Sequence, residues 1–334
     1  MRLVLGVDEA GYGPNMGPLV IAVSAWTIES DLEILDGLCA LEPEFRTAPW
    51  TKQSDFVPLG DSKKIYQPSK GLSGLAFAVQ FFESIINHQQ SSNQLWFSPE
   101  NLAKQDIERV ESRPWFARCH SFDRHESCDV LAESTLLFAK EKLAQLGVNL
   151  VDFRLRVLDE LYFNESTARL GNKSDVLGQL SLNLAWQILN DTADQVPLDR
   201  IEIYCDRQGG RKKYAALLSH TFQEFHEHQQ VPFIASDLET PEASSYSMRY
   251  REIPTSIRFQ VQGDSLFPPA ASSMVAKWMR ESLMARLNRY WRGIVGEDLK
   301  PTAGYAVDAA RFAKEIEPWV TKLSLEKNHW WRLR

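Results

Sequence analysis

The sequence predicts an α/β fold. Short apolar runs that read as strands alternate with segments of helical period, and three of those strands lead into an aspartate. Glycines stand beside these acids, where they let another backbone approach closely.

The first strand covers residues 3–7 of Leu5-Gly6-Val7-Asp8-Glu9-Ala10-Gly11-Tyr12-Gly13-Pro14, and a second apolar run follows at 18–26. The two form a hairpin or tight return with the carboxylates near its mouth. Successive side chains on a strand point to opposite faces, so Asp8 and Glu9 share one site only if the strand ends or bulges there. Residues 28–57, polar and broken by Pro43, Pro49 and Pro58, read as a surface insertion around a short helical patch at 32–41. In Gly60-Asp61-Ser62-Lys63-Lys64, either Asp61 or Ser62 caps a helix whose start carries two lysines; the plain alternative is a cap with solvated lysines.

Helical spacing at 72–87 predicts an amphipathic helix, and the Gln/Ser/Asn-rich 88–100 a loop. Cys119, His120, His125 and Cys128 invite a zinc site, but their spacing fits no common structural one; a loop ending at Ser127 and capping a helix over 129–146 accounts for them better. Alternation over 153–163 predicts a strand. A helix over 174–190, opened by Ser174 or Asp175, leads to a strand at 201–206. That strand ends in Asp206 and runs into a glycine turn bearing Arg207, Arg211, Lys212 and Lys213. A polar helix with Glu224, His226, Glu227 and His228, a small strand at 231–235 and a strand at 257–261 ending at Gly263-Asp264-Ser265 follow. After Pro268 and Pro269 comes a long helix rich in small residues, 270–284, and then an aromatic, basic C-terminal stretch.

The 334 residues, 44% hydrophobic and 24% charged, suit one large domain or two moderate ones. No apolar run approaches the ~20 residues that span a bilayer. The absence of a charged leader, and four irregularly spaced cysteines (Cys39, Cys119, Cys128, Cys205) read as reduced thiols, point to a cytoplasmic protein. The net charge of −7 argues against non-specific nucleic-acid binding, but it is uneven. Residues 280–334 hold eleven Lys/Arg against seven Asp/Glu, a net +4, which leaves −11 on the rest. A basic segment on an acidic body is compatible with local phosphate contacts, but charge alone favours an ordinary solvated helical face.

Three strand ends thus present Asp8 with Glu9, Asp206 and Asp264. A set of carboxylates without His or Cys suits hard cations, magnesium or manganese, which would offset the repulsion between the acids. Pairs of such ions serve in-line phosphodiester hydrolysis.

The ordered motifs Gly-Val-Asp8-Glu9-Ala-Gly-x-Gly-Pro, Asp61-Ser-Lys63-Lys64, a strand ending at Asp206, and Gly-Asp264-Ser with Pro-x-Ala-Ala-Ser-Ser-Met-Val-Ala-Lys277 resemble type 2 ribonuclease H. The matched stretches cover about a third of the chain. The resemblance implies a ribonuclease H-like mixed β-sheet flanked by helices, with family-atypical insertions at about 28–57 and 90–170. It implies a catalytic domain over 1–280 and a helical C-terminal region over 281–334 packed on it. The implied activity is hydrolysis of the RNA strand of RNA–DNA hybrids, leaving a 3′-hydroxyl and a 5′-phosphate. Two divalent cations, Mg2+ or Mn2+, are the implied cofactors. Asp8 would bridge both ions, Asp264 would hold the one that activates water, and Glu9 with Asp206 the one at the leaving oxygen.

In the family a Gly-Arg-Gly turn reads the ribose 2′-hydroxyl; here it is Gly11-Tyr12-Gly13, with the glycines kept and the arginine replaced. Lys63 and Lys64 match the phosphate-contacting lysines, and Tyr305 is the candidate for the C-terminal substrate tyrosine. Arg207, Arg211 and Lys277 complete the expected substrate contacts. The expected partner is an RNA–DNA hybrid or a ribonucleotide-containing duplex. Two other readings stay open: a nuclease for another nucleic acid, favoured by Tyr12, and a non-catalytic nucleic-acid binder, disfavoured by retention of all four acids.

Overall fold

The computed structural model describes residues 1–29, 31, 33, 37–51, 54–66, 71–86, 104–117, 133–226 and 230–333. The hairpin comes first: β1 (Arg2–Ala10) pairs antiparallel with β2 (Leu19–Ile28) in unbroken register, Glu9 opposite Ile21 and Ala10 opposite Val20. Short pieces follow: α1 (Gly37–Ala40), β3 (Phe45–Arg46), β4 (Val57–Pro58) and the single turn α2 (Ser62–Ile65). Then come α3 (Ser73–Ile86), α4 (Lys104–Glu111), α5 (Glu133–Gln145), β5 (Val148–Leu158), α6 (Glu160–Leu170) and α7 (Lys173–Thr192). The rest is β6 (Arg200–Asp206), α8 (Ala215–Phe225), β7 (Ala235–Glu239), β8 (Ala243–Tyr250), β9 (Ile253–Gln260), α9 (Phe267–Val295) and α10 (Ala306–Lys322).

Seven strands form one mixed sheet in the order β5-β2-β1-β6-β9-β8-β7. β1, β6 and β9 are parallel neighbours, and the outer pairings are antiparallel. Helices cover both faces, as expected for the mixed α/β class. Even-numbered β1 side chains such as Val4 face α9 and the α3 side, while Leu3, Leu5 and Val7 join Leu177, Leu184 and Trp186 of α7. β1 and β2 are buried almost throughout, which is why they read as continuous apolar runs rather than alternating ones. Beyond β6 the sheet alternates: Tyr246, Met248 and Tyr250 are buried against the α7–α8 layer, while Ser247 and Arg249 are exposed.

Gly6 sets the closeness of α9. A Cβ there would fall on the Pro268–Pro269 backbone. The hydroxyl of Ser272 bonds the Gly6 carbonyl at 2.7 Å, and that of Ser24 bonds the Pro268 carbonyl at 2.9 Å. The small residues of α9 thus let the helix lie on the strands. Its two prolines occupy the first turn, where no amide hydrogen is needed, so the helix opens at Phe267 and not after them.

Several expectations are corrected. The strand expected over 153–163 is β5, shifted toward the N-terminus; Asp159 then accepts the Tyr162 amide and starts a helix, so Phe163 is helical. α7 begins one residue early, because Asn172 and not Ser174 or Asp175 is its cap. Residues 231–235 are not a strand of their own: Pro232 lacks a ladder donor, and pairing begins at Ala235. β8 was not anticipated, although its run Ala-Ser-Ser-Tyr-Ser-Met-Arg-Tyr carries one apolar face.

Residues 28–57 are not merely a polar surface insertion. Leu41, Phe45, Trp50 and Val57 enter the core, with Trp50 and Phe77 ring centroids 3.9 Å apart. Within 90–170, β5 pairs with β2 along its whole length. The Cys119–Cys128 stretch, the loop at 88–100 and the first residues of the 129–146 helix lie outside the described residues. α9 runs unbroken through residue 280, and the C-terminal region is helical. Among the described residues no helix is long and apolar enough to cross a membrane.

Candidate active site at the ends of two parallel strands

β1 neither ends nor bulges at its acid pair, contrary to expectation. Asp8 and Glu9 come together for a different reason. β1 pairs with β2 out to Ala10, but its pairing with β6 stops at Val7 opposite Cys205. Past that point β1 has an open edge toward β6, and neighbouring side chains of opposite facing can both turn into it. Asp206, the last residue of β6, meets them there. Asp8, Glu9 and Asp206 each offer a carboxylate oxygen within 4.8 Å of the others.

Local hydrogen bonds aim the acids. Asp8 Oδ1 accepts the Glu9 amide at 2.7 Å, and the Ser273 hydroxyl of α9 also serves Asp8. Asp206 Oδ1 accepts the Gly263 amide at 2.8 Å, which ties the turn after β9 to the end of β6. Only glycine fits at 263, because a Cβ would press on the Asp206 backbone. That turn, Gly263–Ser265, carries Asp264. Asp264 is outside the three-acid set, yet it lies close enough to feel the charges of Asp61, Lys63 and Asp206.

Burial, then mutual repulsion, holds protons on this cluster. Asp8, 7% exposed, is raised well above its ordinary range by burial and by the charges of Glu9 and Asp206. Glu9 is pushed up to about 8 by burial and Asp206, with Lys63 opposing. Asp206 and Asp264 are raised chiefly by burial. Clustered carboxylates that resist ionisation are a donor set suited to a hard divalent cation, which would replace the protons. No nitrogen or sulfur ligand enters the set.

The other expected contacts divide into near and far. Lys63 is exposed, and its charge reaches Glu9, Asp206 and Asp264. Its amide donates to Asp61 Oδ1 at 2.9 Å, so Asp61 is the cap of that turn. Lys64 sits 4.0 Å from Asp61 Oδ2 and is largely exposed. Lys277 pairs with Glu281 at 2.8 Å and lies over the Tyr66 ring. Arg207 Nε donates to the Arg211 carbonyl at 2.9 Å, and Arg211 pairs with Asp175 on α7. Tyr305, half exposed, stands beside Gly13. Tyr12 lies next to Gly209, under the ammonium of Lys173, which is 4.7 Å above its ring.

Sequence reasoning missed the residues that hold the Gly11–Gly17 turn, namely Glu160, Arg280 and Arg332, together with Ser273 and Lys173. Ser273 belongs to a run that carries the family resemblance, but nothing in it marks this serine as a neighbour of Asp8. The others carry no motif: Glu160 and Arg332 meet backbone atoms more than 140 residues away in sequence, Arg280 bonds the Ala303 carbonyl, and Lys173 lies over an aromatic face.

No protein-family model matches the chain, and no curated protein matches it. Solved structures do. The chain is similar to the RNase HII in a PCNA:RNase HII complex from Archaeoglobus fulgidus, at 13% identity and a TM-score of 0.40 over 99% of this chain and 94% of that one. It is similar to ribonuclease H2 of Pyrococcus horikoshii OT3, at 14% identity and 0.41 over 98% and 92%. It is also similar to Bst-RNase HIII in complex with Mn2+, at 14% identity and 0.41 over 99% of this chain and 66% of that one.

Proposed function

We propose that this chain is a metal-dependent endonuclease that hydrolyses the RNA strand of RNA–DNA hybrids. The observation that carries the reading is the meeting of Asp8, Glu9 and Asp206 at the open edge between two parallel strands, with Asp264 tied to Asp206 through Gly263. Such a cluster facing a polyanion is unfavourable for a plain binder and useful to an enzyme that holds cations.

Asp8, Glu9, Asp206 and Asp264 would hold two divalent ions, Mg2+ or Mn2+. When bound, these supply an activated water and offset the charge that develops on the phosphate. The Glu9 amide holds Asp8 Oδ1 at 2.7 Å, and Ser273 of α9, bonded to Ser62 Oγ at 3.1 Å, lies beside it. Lys63, exposed at the rim, is placed to meet a phosphate oxygen. The Gly11–Gly13 backbone, with Tyr305 beside Gly13, would be the surface against which a nucleotide lies. Products would carry 3′-hydroxyl and 5′-phosphate ends.

A second reading, a nuclease for a different nucleic acid, is favoured by Tyr12, which cannot donate to a ribose as an arginine does. One assay separates the readings. With Mg2+ or Mn2+, an RNA–DNA hybrid, duplex DNA with one embedded ribonucleotide, double-stranded RNA and duplex DNA are compared. Cutting of the hybrid that is lost in Asp8→Asn supports the proposal; cutting of another substrate alone supports the second reading. Metal binding without cutting, or neither, overturns the proposal.

A further inference from the structure

The turn that follows the acid pair is held from beneath by the far end of the chain. Arg332, 2% exposed, donates from Nη1 to the Gly11 carbonyl and from Nη2 to the Gly17 carbonyl, both at 2.5 Å, with the Pro14 carbonyl at 3.5 Å from Nη1. Its own amide donates to the Asn15 carbonyl at 2.8 Å. Glu160, fully buried, accepts the Gly17 amide at 2.7 Å, and its charge favours that of Arg332. Gly304 accepts the Asn15 and Met16 amides at 2.8 and 3.2 Å. Asn164 closes the arrangement: it donates to the carbonyls of Asn328 and Trp331 and accepts the Leu333 amide at 2.7 Å.

A buried guanidinium bonded to carbonyls is costly to assemble, since it gives up water for dipoles. Here all those carbonyls belong to one turn, which is exposed at Gly13 and buried from Pro14 to Gly17. Gly11 and Gly17 have φ of +91° and +85°, conformations that glycine adopts without strain, so the turn depends on glycine at both ends.

We infer that Arg332, backed by Glu160, is a positioning residue that fixes the Gly11–Gly17 turn in the shape that receives the nucleic acid. It acts through the backbone of the turn and touches neither the acid cluster nor the substrate. The inference rests on the reading that this turn contacts substrate. It goes beyond that reading in assigning the specificity wall to a remote side chain.

The test uses the full chain with Arg332→Met, Arg332→Lys and Glu160→Gln. Two quantities are read: amide hydrogen exchange over residues 11–17, and KM and kcat on an RNA–DNA hybrid. Arg332→Met should speed exchange at Asn15, Met16 and Gly17. It should raise KM about tenfold, the equivalent of one lost charge-assisted bond, with kcat within about twofold. Arg332→Lys, which keeps the charge and reaches fewer carbonyls, should recover part of that loss. Faster exchange with unchanged KM would overturn the inference, leaving Arg332 a purely structural clamp. If Arg332→Met does not fold, Glu160→Gln decides. It retains an acceptor for Gly17 while removing the charge, and should move exchange and KM the same way; a folded Glu160→Gln that moves neither overturns the inference. If the wild type cuts no hybrid, the functional reading fails and the specificity role falls with it, while unchanged exchange would separately refute the clamp itself.

Discussion

The two walls of the candidate site are built in opposite ways. The acid wall is made by sheet register: β1 runs three residues past its last pair with β6, and Asp8, Glu9 and Asp206 occupy the step. The turn wall is made by tertiary capture, its carbonyls and amides taken by Arg332, Gly304 and Glu160 from three distant segments. Register is specified by local patterning, so the first wall announces itself in the sequence. Capture is specified by geometry alone, so the second does not. The walls should therefore fail independently, and variants can be chosen to break one at a time.

The largest effect is expected at the acid wall. Asp8→Asn should lower cleavage at least about a thousandfold, because it removes the most buried carboxylate of the set. The same change removes the cost of burying a carboxyl whose ionised form burial, Glu9 and Asp206 all disfavour. Thermal unfolding without metal should then show stability equal to or above the wild type, and exchange over 11–17 should not change. A variant both inactive and unstable would mean that Asp8 serves the fold. Next comes Gly6→Ala. The added methyl meets the Pro268 backbone, so α9 must shift. A cost of about 1–3 kcal/mol is expected in denaturant unfolding. Activity should fall with it, because Ser273 rides on the same helix and bonds Asp8.

The legibility of the two walls explains what the sequence conveyed. β1, β2, β6 and β9 were visible because each carries an apolar run, and Asp8, Glu9, Asp206 and Asp264 because each sits where such a run stops. The helix cap at Asp61 was one of two candidates, and the amide of Lys63 selects it. β8 carries a period-2 pattern, Tyr246, Met248 and Tyr250 against Ser247 and Arg249, that sequence reasoning overlooked. The role of β5 within the sheet was hidden by reading 90–170 as an insertion. The reason for the meeting of Asp8 and Glu9 was also misread. A strand ending would have sufficed, but what brings them together is the shorter neighbour, and strand length relative to a neighbour is not written in either strand. Arg332 and Glu160 carry no sequence signal, since nothing local tells a buried guanidinium from a solvated one.

Protons offer a gentler probe of the acid wall. Glu9 titrates near 8 in the metal-free protein against an ordinary value of 4.5. A cation must displace that proton and any held by Asp8, so Mg2+ affinity by calorimetry should rise by at least about tenfold per pH unit below about pH 8, with proton release on binding. The stability sign follows. Between about 4.5 and 8 the folded state keeps a proton that the unfolded state has lost. The metal-free protein should therefore lose stability as pH rises through that window, and saturating Mg2+ should flatten the slope. A flat metal-free profile would mean that Glu9 is solvated and outside the cluster.

The smallest expected effect tests the turn wall from its outer side. Tyr12→Arg restores the residue that the resembled family places between the two glycines, and it should raise the preference for a single ribonucleotide in duplex DNA by a few fold, about 1 kcal/mol. The gain is limited by a neighbour, since the Lys173 ammonium that now sits over the Tyr12 ring would face a second cation instead of an aromatic face. Tyr12→Arg with Lys173→Ala should therefore exceed Tyr12→Arg alone. Lys173→Ala by itself should weaken hybrid binding slightly without changing kcat. If the double variant gains nothing over the single one, Lys173 and Tyr12 do not share a contact with substrate. The preference of this chain would then be set by the shape of the captured turn and not by the side chain it displays.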